Sequence, residues 1–222
     1  MRRTRSTLLA MAFLAGGLPL QAQTQFQFVS GGSVTAFGYY VGPYLGLMGP
    51  PGNQTQVLLN CVDFFHHVTT GQVWMANLTN LGQTDLSGTR FGTMTNALDL
   101  YRQAAWLTTQ YAGASATEVG QIQAAIWRLF ATGTPGPSSS IIDQWLARAL
   151  ANFHTINAAD FWVVSDVNMS SIGGGTQEFI IYQVTPEPAT MMLLGTGLVG
   201  IGTALRRRKR TRQGDHDAQE TA

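Results

Sequence analysis

The chain has 222 residues, of which 45% are hydrophobic and 11% charged, and its formal net charge of +1 conceals an uneven distribution. Nine of the thirteen basic residues lie near the two ends, leaving Arg90, Arg102, Arg128 and Arg148 against nine carboxylates over residues 23–188, a balance of −5. An acidic body has no basic footprint for nucleic acid, and no P-loop or dinucleotide fingerprint is present, so neither nucleic acid nor a nucleotide cofactor is expected; no other cofactor is indicated.

In chain order, the first element is an N-terminal leader. Arg2, Arg3 and Arg5 precede a short apolar core from Leu8 to Leu20, and Ala22 is a small residue suited to cleavage, with Leu20 two places earlier. This is the layout of a secretory signal peptide over residues 1–22. About 13 apolar residues are too few to span a bilayer comfortably. The exported body then runs over residues 23–184, enough chain for a real core.

Residues 24–80 read as strands. QFQFVS, SVTAFGYY, QVLLNCVDFFHHV and QVWMANLT are rich in Val, Phe and Tyr and are separated by turn signals such as GPPGNQ. Residues 95–153 read as helices. Leu100, Ala104 and Leu107 share one helical face. Ser115 to Glu118 forms a capping-box pattern, as does Ser140 to Asp143 more weakly, and GTPGPSSS breaks the second helix from the third. Strand-like composition returns over 160–184 in DFWVVSDV and QEFIIYQV. Strands, helices, then strands predict an α+β domain: a β-sandwich or barrel with an inserted block of about three helices.

The C-terminal stretch reads TPEPATMMLLGTGLVGIGTALRRRKRTR. Ala189 to Leu205 is 17 residues without a charge, about 26 Å of helix at the α-helical rise, so a single transmembrane helix is expected over 189–205. Six of the next seven residues are Arg or Lys, a cluster over 206–212 that holds this end and the tail at 213–222 in the cytoplasm. The ordered triple of Thr185-Pro186-Glu187-Pro188, apolar span and basic cluster resembles a PEP-CTERM sorting signal, with Thr185 where Val is usual. That resemblance implies recognition of Pro186, Glu187 and Pro188 by a membrane exosortase. It also implies export through the inner membrane of a Gram-negative-type bacterium to the cell surface or extracellular matrix.

Cys61, in the run LLNCVDFF, is the only cysteine. An unpaired thiol in an exported protein calls for an explanation. Its apolar neighbours suit a buried structural residue of a noncatalytic envelope or matrix protein. A Cys-dependent hydrolase would need a histidine base. His66, His67 and His154 are available in principle; on a continuous strand His67 shares the face of Cys61 but lies about 20 Å away at ~3.3 Å per residue, and His154 could approach only through the fold. No C-x-x-C or H-x-x-x-H spacing exists, so no metal is expected. Asp63, two residues on along the same strand, would share the face of Cys61, where a solvated or capped carboxylate is expected.

A fourth reading starts from the second helix, where Gln123 precedes Ala124-Ala125-Ile126-Trp127 in an apolar context. A Cys on an early strand in Asn60-Cys61-Val62-Asp63, with Ile122-Gln123-Ala124-Ala125-Ile126-Trp127 on a later helix, resembles the thioester (TQXA) domains of bacterial surface adhesins. LYRQAAWLTTQY, the helix before, is similar too. Asn60 replaces the frequent aromatic or Leu, and Ile122 replaces the Thr of the strict motif. The resemblance implies an internal thioester between Cys61 and Gln123 and covalent attachment, at most once and so not as an enzyme, to an amine-bearing surface molecule or extracellular polymer. Phe64, Phe65, Trp106 and Trp127 would shield the bond from water. Gln121, about 200° around the helix from Gln123, should face elsewhere. The body contains no lysine, since Lys209 is the only one in the chain. A genome preferring Arg explains this, as does suppression of self-coupling to a reactive acyl group.

Overall fold

A computed structural model describes residues 23–169 and 174–183. The expected signal peptide, transmembrane helix, sorting motif and tail lie outside the described residues. No helix among the described residues is long and apolar enough to cross a membrane.

The architecture is α+β, a closed six-stranded barrel with three helices inserted between its fourth and fifth strands. The chain begins with β1 (Gln23–Ser30), a small hairpin of β2 (Thr35–Ala36) and β3 (Tyr39–Tyr40), then β4 (Pro43–Met48), β5 (Thr55–Cys61) and β6 (Val73–Asn80). The helices are α1 (Ala97–Thr109), α2 (Ala116–Phe130) and α3 (Ser139–Asn152), followed by two 3₁₀ turns, β7 (Phe161–Asp166) and β8 (Phe179–Tyr182). Around the barrel the order is β1-β4-β5-β8-β7-β6, every pair antiparallel.

Alternation along the strands puts aromatic rings inside. Phe26 stacks on Trp74 at 5.8 Å, Trp74 meets Phe179 at 6.0 Å, and Tyr44 bridges Phe28 and Phe179 at 5.7 and 6.2 Å. A barrel this narrow is filled by side chains, so its interior is core and not channel. Gly46 on β4 makes room for this filling: a Cβ there would sit 2.6 Å from Cδ1 of the fully buried Leu59.

Three strand assignments differ from the sequence reading. SVTAFGYY is not one strand but the β2–β3 hairpin, because Phe37 (φ 55°) and Gly38 (φ 84°) form a two-residue turn with both residues left-handed. β4, PYLGLM, was hidden by an initial Pro and an internal Gly, both poor strand signals. β5 stops at Cys61 and does not continue to Val68, because Asp63 turns the chain by accepting from Phe65 N at 3.2 Å through Oδ1.

In the helical block, α2 carries the full capping box: Ser115 Oγ accepts from Glu118 N, and Glu118 Oε2 accepts from Ser115 N at 2.9 Å. The second expected box is absent. α3 begins after Ser138, with no side-chain cap, and Ser140 Oγ pairs instead with Ser138 Oγ. Along α2 the residues Val119, Ile122, Gln123, Ile126, Trp127 and Phe130 are all buried. Of the α1 face, Ala104 and Leu107 are fully buried and Leu100 is half-buried.

Replacing Gly46 with Val should overpack the barrel against Leu59 and cost about 1–3 kcal/mol, read as a lower urea midpoint with unchanged slope.

Candidate functional site

The site forms where the end of β5 meets α2. Cys61 is the last residue of β5, fully buried, and its strand is held on both sides: Asn60 pairs with Pro43 on β4 and with Ile180 on β8. The pairing extends past the strand through Val62 N, which donates to Glu178 O at 3.0 Å. Facing it, Gln123 is also fully buried on α2. Its Nε2 donates to the Cys61 carbonyl at 2.8 Å, so strand and helix join directly across 62 residues of sequence.

The other end of the Gln123 amide is held as firmly. Oε1 accepts from the Tyr111 hydroxyl at 2.9 Å and from Gly42 N at 3.4 Å. Tyr111 lies just beyond α1. Burial, then the neighbouring Tyr44 and Cys61, push its hydroxyl well above the ordinary value, so it remains a donor. Gly42 has φ +88°, and a Cβ there would lie 2.8 Å from Cγ1 of Val119 on α2; glycine permits both the turn and the close approach. The β2–β3 hairpin just before it rests on α2 through a similar device, since a Cβ on Gly120 would meet the Ala36 methyl at 2.8 Å.

The sulfur is a guarded thiol. Sγ donates to the Asp63 carbonyl at 3.3 Å and accepts from Trp127 Nε1 at 3.4 Å. Burial pushes the Cys61 thiol up to about 12, helped by the Asp63 charge and opposed by the two hydrogen bonds.

Aromatic rings lie over this point. Phe64 packs on Trp127 at 5.0 Å, Tyr39 touches both at 5.0 and 6.2 Å, and Phe65, well exposed, stacks edge-on against Phe64 at 5.4 Å. Of the four expected shields, Trp127 contacts the sulfur, Phe64 packs on Trp127, the exposed Phe65 packs on Phe64, and Trp106, buried on α1, has no ring contact described with this cluster. Tyr39 is the member that sequence reasoning missed; only its place in an aromatic, glycine-punctuated hairpin marked it. A cleft of about 420 Å³ opens beside the cluster, lined by Tyr39, Tyr40, Phe64, His67 and Trp127. Gln121 faces away, accepting from Trp145 Nε1 on α3 at 3.3 Å.

The charged neighbours form a separate layer behind the turn. Asp63 does not share the face of Cys61 along a strand: β5 has ended, and its carboxylate is buried, 2.7 Å from His66 Nδ1 and 3.0 Å from Arg90 Nε. It is capped as expected, through Oδ1 on Phe65 N, but not solvated. Arg90 also donates to the Gly174 and Thr176 carbonyls at 3.0 and 2.9 Å, and its backbone N donates to Glu178 Oε1 at 2.6 Å. Ser165 Oγ and the Tyr101 hydroxyl complete the shell around Glu178. Of the histidines, His66 is engaged here, His67 is exposed at the cleft and His154 is exposed on a 3₁₀ turn. The hydrogen bonds described for Sγ therefore involve no histidine nitrogen.

Residues 184–209 match the PEP-CTERM protein-sorting motif. The chain is thus an exported protein whose C-terminal signal is handled by an exosortase at the membrane, with the cell surface as its destination. No curated protein is similar to it. Among solved structures, the N-terminal thioester domain of a surface protein from Clostridium perfringens is similar at 9% identity and a TM-score of 0.39, over 73% of this chain and 99% of that one. So distant a likeness carries no chemistry, which rests on this chain's own side chains.

Burial lifts the Glu178 carboxyl from 4.5 to about 7, its three donors only partly offsetting the cost. Below about pH 4.5 the group is protonated folded or unfolded. Between there and pH 7 the folded state alone keeps the proton, so its contribution to stability is lost as pH rises through that window, on a scale of roughly 3 kcal/mol. Glu178→Gln should flatten this slope, gaining stability relative to the parent between pH 4 and pH 8 in urea titrations.

Proposed function

We propose that the body of this exported protein carries an internal thioester between Cys61 Sγ and Gln123 Cδ, and that the bond acylates an amine-bearing partner at the cell surface. The observation that supports this most is the Gln123 amide itself. A fully buried glutamine on an apolar helix is costly unless satisfied. Here it is fixed at both ends, by the Cys61 carbonyl on Nε2 and by Tyr111 and Gly42 on Oε1, against the chain's one cysteine.

Formation joins Sγ to Cδ and breaks the Cδ–Nε2 bond; the thiol proton leaves with the nitrogen as ammonia. Attack by an amine then joins nitrogen to Cδ and returns the sulfur to a thiol, with a proton from the amine. The partner ends on Gln123, and the sequence is used once. Fixed placement of strand and helix supplies the proximity that attack on an amide needs. By analogy with loop closure by a disulfide, a crosslink spanning 62 residues stabilises the fold by roughly 4 kcal/mol.

A noncatalytic matrix protein with a structural Cys is the second reading, favoured by the complete burial of Cys61 and its raised thiol. Intact mass spectrometry of the purified body separates the two. The thioester reading expects a mass short by one ammonia, conversion by methylamine to an adduct with one free thiol, and loss of both properties in Cys61→Ala. A full mass with a free thiol refutes it.

The absence of lysine from the body leaves the acyl group for outside amines. Thr70 lines the cleft and is exposed. A Thr70→Lys variant should form covalent dimers that survive reduction on denaturing gels, where the parent stays monomeric; monomers alone would reject the self-coupling argument.

A further inference from the structure

The geometry points to Tyr111 and the Gly42 N–H as the oxyanion cradle for both reactions at Gln123, with the Trp127 N–H as the partner of the sulfur. The inference rests on the proposed thioester and names the groups that move its rate.

Both formation and consumption pass through a tetrahedral centre at Cδ, with negative charge on Oε1. Two donors already meet that oxygen, Tyr111 OH at 2.9 Å and Gly42 N at 3.4 Å. They come from separate elements, the end of α1 and the turn after the β2–β3 hairpin, and converge on a single atom. Both are buried, and a fixed dipole in a dry site stabilises developing charge most. Core packing alone does not ask for these two bonds: Gly42 is left-handed with its N–H on Oε1, and Tyr111 spends its only hydroxyl on the same atom.

On the other side of the bond, Trp127 Nε1 donates to Sγ at 3.4 Å, and no cationic group is among the hydrogen-bond partners described for the sulfur. The indole N–H therefore supports the thiolate as it departs when an amine attacks. In formation, the departing nitrogen starts from a bond to the carbonyl of Cys61, the residue whose thiol proton it must receive. Electrophile and leaving group have separate donors, so the two roles can be measured separately.

The purified body is treated with methylamine in excess, following adduct mass and thiol release together. Tyr111→Phe deletes a single oxygen. It should lower the methylamine rate by about 10²-fold, or leave the Gln123 amide unreacted at full mass in a protein that unfolds as cooperatively as the parent. Trp127→Phe should slow thiol release while leaving ammonia loss complete. Tyr182→Phe is the control, since that ring is exposed on β8 and packs on Phe161; its rate should equal the parent's. Should Tyr111→Phe fail to fold, 3-fluorotyrosine placed at 111 keeps the shape and strengthens the donor, and it should accelerate uptake. A parental rate in Tyr111→Phe, or no acceleration with fluorotyrosine, overturns the cradle while the thioester stands. A parent protein of full mass overturns the thioester itself, and the cradle with it.

Discussion

The hydrogen bond from the Gln123 amide to the Cys61 carbonyl is the contact around which the molecule is organised. It joins a barrel strand to an inserted helix, and it is buried on both sides. An amide sealed from water loses the full value of its hydration unless each end is met. Meeting both ends requires β5 to stop at residue 61, α2 to lie against that end, α1 to finish with Tyr111 facing inward, and the β2–β3 hairpin to deliver Gly42. Four elements are thus positioned by one side chain. The glycines at 42 and 120 are consequences of that demand, since each removes a Cβ that would push the hairpin off α2.

The charges obey a second constraint. Asp63, His66 and Arg90 form a buried group immediately after Cys61, with Glu178 next to it. A hydrolase would turn such a group toward the sulfur to make a thiolate. Here the partners described for Sγ are the Asp63 carbonyl and Trp127 Nε1, a backbone oxygen and an indole. The result is a thiol raised to about 12, the reverse of the electropositive setting that activates a catalytic cysteine. The cluster works structurally: it binds the turn after β5 to the 86–92 loop and to the approach to β8, and so fixes the end of the strand on which Cys61 stands.

The α+β class, the barrel alternative and the three-helix insertion were legible in the sequence because aromatic, β-branched strands and a capped amphipathic helix leave strong periodic signals. Cys61 and Gln123 were legible as a pair only through motif resemblance; nothing in the spacing of 62 residues shows that they meet. The boundary of β5 was not legible. Val62, Phe64 and Phe65 read as strand, and only the side chain of Asp63, capping Phe65 N and paired with Arg90, bends them away. Tyr111 and Gly42 were invisible for a different reason. A tyrosine after a helix and a glycine between aromatics have many ordinary uses, and their convergence on one oxygen is a property of tertiary structure alone.

The place of β8 ties this site to the end of the chain. β8 pairs with β5 at Asn60 and Cys61, and the described chain continues from it to Gln183, one residue before the matched sorting segment. The strand bearing the sulfur is therefore hydrogen-bonded to the strand that leads into the sorting signal. In the proposed reaction the partner ends on Gln123, while the sulfur stays on β5. A pull between the C-terminal side and the partner would then cross from β8 to β5 and from β5 to α2. At the second step the Nε2 contact is gone, since that nitrogen leaves as ammonia, and once the thioester is spent the direct link is the hydrogen bond from Trp127 Nε1 on α2 to the restored thiol on β5. Such a contact resists load only while its neighbours keep it dry, which gives the aromatic cover of Tyr39, Phe64 and Trp127 a role on both sides of the reaction: before it, excluding water from the acyl group, and after it, excluding water from the hydrogen bond that remains.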